Sequence, residues 1–257
     1  MRIAIVTGAS SGMGREFARL IPECYRTLDE IWIAGRKRDH LEGLREELEG
    51  SKGIKVKIFD RDLMEPVFYD TLMTSLQEET PDVRMLVNAA GFGKIGSIED
   101  LDVEEQADMI DVNCKALTKV TLLCLSYMSK GSRIINIASA AAFSPQPGFA
   151  VYAATKAYVH SFSRALGEEV REKGIFVTSV CPGPVDTAFF EVAGTTNSSA
   201  KQAVMAKPQD VVKRALKDSI KGKEVSVYGK TMKLAKVACK ILPHKLIMRI
   251  MGGLAKR

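Results

Sequence analysis

The stretch "VTGASSGMG", Val6 to Gly14, decides how the rest of this chain is read. An apolar, β-branched run, Ile3–Thr7, leads into it, and a helix-period run, Met13–Ile21, leads out. Gly8 permits a sharp turn after the strand. Gly12 lets a phosphate approach the backbone, and Gly14 lets helix and strand pack closely. The helix start offers unpaired N–H groups and the positive end of a dipole to a pyrophosphate. The spacing is G-x-x-x-G-x-G, not the commoner G-x-G-x-x-G. Taken alone, the glycines also suit a purely structural turn.

Further apolar runs continue the pattern at Ile31–Ala34, Lys55–Phe59, Met85–Asn88, Arg133–Ile137, Phe176–Cys181 and near Glu224–Tyr228. Helix-period segments alternate with them: Arg38–Leu48, Met64–Glu78, Val103–Met128, Ala153–Glu172 and Pro208–Lys221. Continuous apolar strands with helices between them predict a parallel sheet covered on both faces. Right-handed crossovers then give an α/β, Rossmann-like, doubly wound sheet of about seven strands in a single domain. Residues 1–229 form the expected dinucleotide-binding and catalytic domain, and 230–257 a basic amphipathic extension.

Bulk properties narrow the class. The chain has 257 residues, 46% apolar and 26% charged, as expected for one large globular domain. Its five cysteines form no C-x-x-C pair, so neither a disulfide framework nor a structural zinc site is expected, and a reducing, cytoplasmic setting fits. No metal ligand set, secretory signal or membrane-spanning segment is read. The net charge of +6 suits an anionic partner, but no nucleic-acid-binding motif accompanies it, so no nucleic acid is expected.

The second strand ends in "IAGRKR". An acid at this point grips the ribose 2′-hydroxyl of the unphosphorylated cofactor. Arg36 stands there instead, which predicts a preference for NADP(H) over NAD(H); the alternative is a solvated charge.

"TGASSGMG" (7–14), "NAAG" (88–91), Asn113 in "DVNC", Ser139, "YAATK" (152–156) and "PGPVDT" (182–187) together resemble the short-chain dehydrogenase/reductase family. The resemblance spans Arg2 to about Gly229, and the set in this order is specific. It implies a catalytic tetrad of Asn113, Ser139, Tyr152 and Lys156. It also implies cofactor contacts from Gly8, Ser10, Ser11, Gly12, Met13, Gly14 and Arg36 along the first two turns. Further contacts are implied from Asp62, Leu63, Asn88, Ala89 and Gly91, and from Pro182, Gly183, Val185 and Thr187. Asp62 is equally read as a helix cap.

Tyr152 and Lys156 lie four apart at a helix start and so share a face. A free tyrosine has a pKa of about 10. The Lys156 ammonium and a bound nicotinamide are expected to favour the phenolate. Tyr152 would then serve as general acid–base while a hydride passes between the nicotinamide and a carbonyl carbon. By resemblance, Lys156 also bonds the nicotinamide ribose, Ser139 holds the substrate oxygen, and Asn113 anchors a water in a proton relay.

Phe92, Phe143, Phe149, Phe189 and Phe190 are the expected apolar substrate walls, the last two opening a lid segment that runs through "AGTTNSSAKQAVMAKP". A small hydrophobic ketone or secondary alcohol, such as a ketosteroid or hydroxysteroid, is the expected substrate. A 3-oxoacyl thioester reductase and a non-catalytic NADP(H)-sensing regulator are the alternatives. In the extension, Lys233, Lys236, Lys240 and Arg249 share one side, and Leu234, Val237, Ile241, Leu246 and Ile250 another, with a break at Pro243. Three roles compete for it: a lid, an oligomer contact in a homodimer or homotetramer, and a peripheral membrane contact.

Overall fold

The computed structural model describes residues 1–194 and 205–255. Seven strands form one parallel sheet: β1 (Arg2–Thr7), β2 (Glu30–Ala34), β3 (Lys55–Phe59), β4 (Asp82–Asn88), β5 (Arg133–Ile137), β6 (Phe176–Val180) and β7 (Val225–Ser226). Their spatial order is β3-β2-β1-β4-β5-β6-β7. The order reverses between β1 and β4, the switch point at which such sheets bind ligands.

The continuous apolar strands follow from burial on both faces. Ala4 and Val6 point to one face, into a core with Phe17, Ile21, Leu41 and Leu44. These come from α1 (Gly12–Cys24) and α2 (Arg38–Lys52). Ile3 and Ile5 point to the other, with Phe68, Leu72, Val120 and Leu166. These belong to α3 (Pro66–Glu79), α5 (Leu117–Leu125) and α6 (Ala150–Glu169).

The expected helix Val103–Met128 is not continuous. It comprises α4 (Val103–Ile110), a wider π-type turn over Asp111–Ala116, and α5. Such turns often mark functional sites, and this one holds Asn113. The expected strand Glu224–Tyr228 shrinks to Val225–Ser226, because β7 is an edge strand paired only at Ser179 and Val180. Ser139 lies two residues beyond the end of β5 and caps a 3₁₀ turn, Ala140–Phe143.

Four more helices complete the described chain, the first three being α7 (Phe189–Ala193), α8 (Pro208–Ile220) and α9 (Lys230–Ile241). Pro243 then breaks the extension as expected, and α10 (His244–Ala255) follows. Residues 195–204 of the expected lid lie outside the described residues, as does the side chain of Ile250.

Candidate active site

Strand register assembles the site. Thr7 pairs with Asn88, and Asn88 with Asn136. The chain therefore leaves β1, β4 and β5 at one edge, through the Gly8 turn, Ala89–Gly91 and Ala138–Ser139. Gly8 and Gly12 adopt φ of +69° and +53°, which favours glycine. Ser11, at the N-cap of α1, makes no side-chain cap bond. The amides of the first helical turn are thus left for a ligand. A cleft of about 380 Å³ opens at this edge and reaches from Met13 past Ser139, Tyr152 and Lys156 to α9.

Tyr152 and Lys156 occupy the buried face of α6 as the spacing predicts. The Tyr152 phenol is hydrogen-bonded to Ser139. Ser139 Oγ also accepts from the Ala141 amide at 3.1 Å. Lys156 Nζ donates to the Ile137 carbonyl at 2.9 Å and lies 5.6 Å from the Tyr152 ring centroid. In the chain by itself the electrostatics run opposite to expectation. Burial pushes the Tyr152 phenol up to about 12, against a lowering by Ser139. Burial also pulls Lys156 down to about 8. A site this dry disfavours both charged forms, and the ammonium is turned to a carbonyl rather than to the phenol oxygen.

Asn113 reaches the site but its side chain is engaged. Its Nδ2 donates to the Phe92 carbonyl at 2.9 Å and to Thr155 Oγ1 at 3.0 Å, while Oδ1 accepts from the Phe92 amide at 3.0 Å. Thr155 Oγ1 in turn donates to the Tyr152 carbonyl at 2.8 Å. Asn113 therefore ties the loop after β4 to the turn of α6 that carries Tyr152.

Several expected cofactor contacts take other places. Asn88 turns inward: its Nδ2 donates to Thr121 Oγ1 at 3.0 Å and to Asn136 Oδ1 at 2.9 Å. That polar network continues to Ser163 and pins β4 to β5 and to the helices behind them. Ala89 and Gly91 line the cleft instead. The Leu63 side chain is buried in the core, because Tyr69 donates to its carbonyl and holds that turn closed. Asp62 accepts from the Met64 amide at 3.0 Å, capping a turn rather than α3, which begins at Pro66. Asp62 also lies 3.6 Å from Arg36, so a carboxylate does stand beside the guanidinium, which is 71% exposed. The Ser10 carbonyl lies 3.1 Å from His40 Nδ1. Pro182, Gly183, Val185 and Thr187 all line the cleft.

Four of the five phenylalanines are walls. Phe149 stacks on Tyr152 with centroids 4.2 Å apart, and Phe189 lies 5.4 Å from it. Phe143 and Phe190 also line the cleft. Phe92 does not; it packs behind Tyr152 with Met109 and Ala153. Three wall residues come from the extension: Met232, Ala235 and Cys239 of α9. No local pattern marks them, because only the fold carries them across some eighty positions to Tyr152. Nor does any local pattern mark Gly93. A Cβ there would lie 2.6 Å from Tyr152 Cδ2 and 3.0 Å from Phe149 Cζ. Gly93→Ala is therefore expected to turn the Tyr152 ring and lower kcat about tenfold or more. Steady-state kinetics check this; an unchanged kcat would mean that the ring needs no such space.

Among the described residues no cluster of histidine, cysteine and carboxylate side chains is arranged to hold a metal ion. Residues 2–198 match the family model described as short chain dehydrogenase. An uncharacterised oxidoreductase of Staphylococcus aureus strain MRSA252 is 32% identical over 228 residues, covering 88% of this chain and 94% of that protein. Among solved structures, a short-chain dehydrogenase from Sphingobium yanoikuyae in complex with NADPH is 26% identical, with a TM-score of 0.77, covering 88% of this chain and 87% of that one. A 7β-hydroxysteroid dehydrogenase is only 21% identical but shares the fold over 98% of this chain and 96% of its own, with a TM-score of 0.83.

Proposed function

The chain belongs to the short chain dehydrogenase family and is an oxidoreductase, and from that premise we propose that it reduces a hydrophobic ketone with NADPH, Tyr152 giving the proton. The observation that carries the substrate class is the lining of the cleft. Among the described residues, Lys156 is its one basic or carboxylate side chain, and Phe143, Phe149, Phe189, Phe190 and Met232 make its walls. A carboxylate substrate would meet no arginine there, and an apolar body loses water against these rings.

The residues fit a nicotinamide dinucleotide. A Cβ at Gly8 would lie 2.7 Å from the Ala90 amide nitrogen, so the turn is closed to any side chain and presents bare backbone. The uncapped start of α1 suits the pyrophosphate. Arg36, Met13, Ala89, Gly91 and the Pro182–Thr187 segment lie along the course such a molecule would take. The Sphingobium relative was solved with NADPH. When bound, the nicotinamide supplies the hydride.

The protein's own part is proton transfer and positioning. A phenol with a pKa near 12 stays protonated at neutral pH, which suits donation to the oxygen of a ketone as it is reduced. Ser139 holds that oxygen beside Tyr152, and the Lys156 ammonium offsets the phenolate left behind. Asn113 acts as a positioning residue through Phe92 and Thr155. In this reading α9 roofs the cleft as part of the catalytic unit.

The test is NADPH oxidation by the purified chain across hydrophobic ketones, small charged ketones and 3-oxoacyl thioesters. Hydrophobic ketones are expected to give the highest kcat/KM. A best rate with a thioester, or bound NADPH with no turnover of any of them, would overturn the proposal. In the same assay Arg36→Ala is expected to weaken NADPH about tenfold and leave NADH within about threefold. Equal weakening of both would place Arg36 away from the 2′-phosphate.

A further inference from the structure

The extension that roofs the cleft has a second, outward face, and that face is apolar. Leu234, Val237 and Ile241 of α9 are 71%, 53% and 74% exposed. They recur at i, i+3 and i+7, so they form one stripe. Met232, Ala235 and Cys239 recur in the same way on roughly the opposite side and face the cleft. Leu242 and Leu246 continue the exposed apolar surface into α10.

Charge is distributed to match. Residues 225–257 contain eight lysines and arginines and no aspartate or glutamate, while the whole chain is +6. Residues 1–224 therefore balance at −2, and the entire positive excess of the protein belongs to the extension. Lys230, Lys233 and Lys240 of α9, and Lys245 and Arg249 of α10, are exposed around the apolar surface. An apolar stripe with lysine flanks and no acid is the pattern of a helix that lies in the headgroup region of a bilayer. No helix among the described residues is long and apolar enough to cross one.

We infer that α9 and α10 dock this protein on an anionic lipid surface. Docking would set the cleft beside the apolar phase in which a hydrophobic ketone concentrates. The substrate-delivery part rests on the function proposed above; the docking itself does not.

The test is co-sedimentation of the full chain with phosphatidylglycerol vesicles and with phosphatidylcholine vesicles, with no ketone or cofactor present. Its outcome is thus separate from any question of turnover. Binding to phosphatidylglycerol is expected to be about tenfold or more tighter than to phosphatidylcholine, and to weaken as salt rises. The triple variant Leu234→Ser, Val237→Ser, Ile241→Ser is expected to lose about tenfold or more in vesicle binding, with its kcat on a water-soluble ketone unchanged. If that variant unfolds, Lys233→Glu with Lys240→Glu replaces it, and the same loss is expected. Equal binding to both lipids, or full binding by a folded variant, would overturn the inference. So would absence of vesicle binding together with self-association that the variant abolishes, which would assign the stripe to a second copy of this chain.

Discussion

Tyr152→Phe is expected to lower kcat/KM for ketone reduction about a thousandfold, roughly 4 kcal/mol of transition-state stabilisation. The substitution removes one oxygen and little else. Phe149 still stacks on the ring at the same face, and Phe189 still packs beside it. Neither Asn113 nor Lys156 bonds to the phenol, so their partners stay in place. Ser139 keeps its bond from the Ala141 amide. The variant is therefore expected to fold and to bind NADPH within about threefold of the parent, while the substrate oxygen has no acid beside it. Stopped-flow single turnovers and NADPH titration by fluorescence separate the two effects. A variant that retains more than about a tenth of the parental rate would show that the proton comes from elsewhere.

The second large effect concerns the glycine turn. A Cβ on Gly14 would lie 2.2 Å from the Gly8 carbonyl oxygen and 2.6 Å from its carbon. Both are backbone atoms, and no rotamer change moves them aside. Gly14→Ala must push α1 away from the end of β1, at a site where both are buried. We expect a loss of about 3 kcal/mol, or a fall in Tm of roughly 6–12 °C. NADPH binding is expected to weaken about a hundredfold, because the displaced helix start no longer meets the pyrophosphate. Gly43 provides the contrast. It lies within α2, and a Cβ there would meet nothing within 4 Å. Gly43→Ala is expected to stabilise the fold by about 0.5–1 kcal/mol. Thermal unfolding of the two variants side by side checks both; a Gly14→Ala protein as stable as the parent would mean that strand and helix tolerate the separation.

Much of this architecture was legible before folding. The apolar runs that predict β1 to β6 each carry side chains to both faces of a covered sheet, so their pattern is local and complete. Tyr152 and Lys156 share a helical face because four residues make about one turn. The glycine turn, Ser139 and the Pro182–Thr187 segment all leave strands at the same edge, which parallel order alone requires.

Other features were not legible because no local period encodes them. Asn88 stands in the same short motif as Ala89 and Gly91, yet as the last residue of β4 it turns into the Thr121–Asn136 network, while the other two lie in the loop beyond the strand. Phe92 and Phe149 are equally apolar, and only packing makes one a backing and the other a wall. The wide turn at Asn113 leaves no mark in helix periodicity.

The sign of the Tyr152 shift shows where sequence stops. A lysine four residues away suggests a lowered pKa; burial of both groups reverses it. The amphipathic pattern of the extension likewise gives a basic side and an apolar side carrying Leu234, Val237 and Ile241, and no third face toward the cleft. The fold turns Met232, Ala235 and Cys239 to the cleft and leaves Leu234, Val237 and Ile241 outside. Sequence by itself determined the fold class, the order of the segments that meet at the cleft edge and the shared helical face of Tyr152 and Lys156, because these rest on periodicity and on spacing within one turn. Tertiary structure alone decided solvation and facing, because both depend on which distant segments exclude water from a given atom.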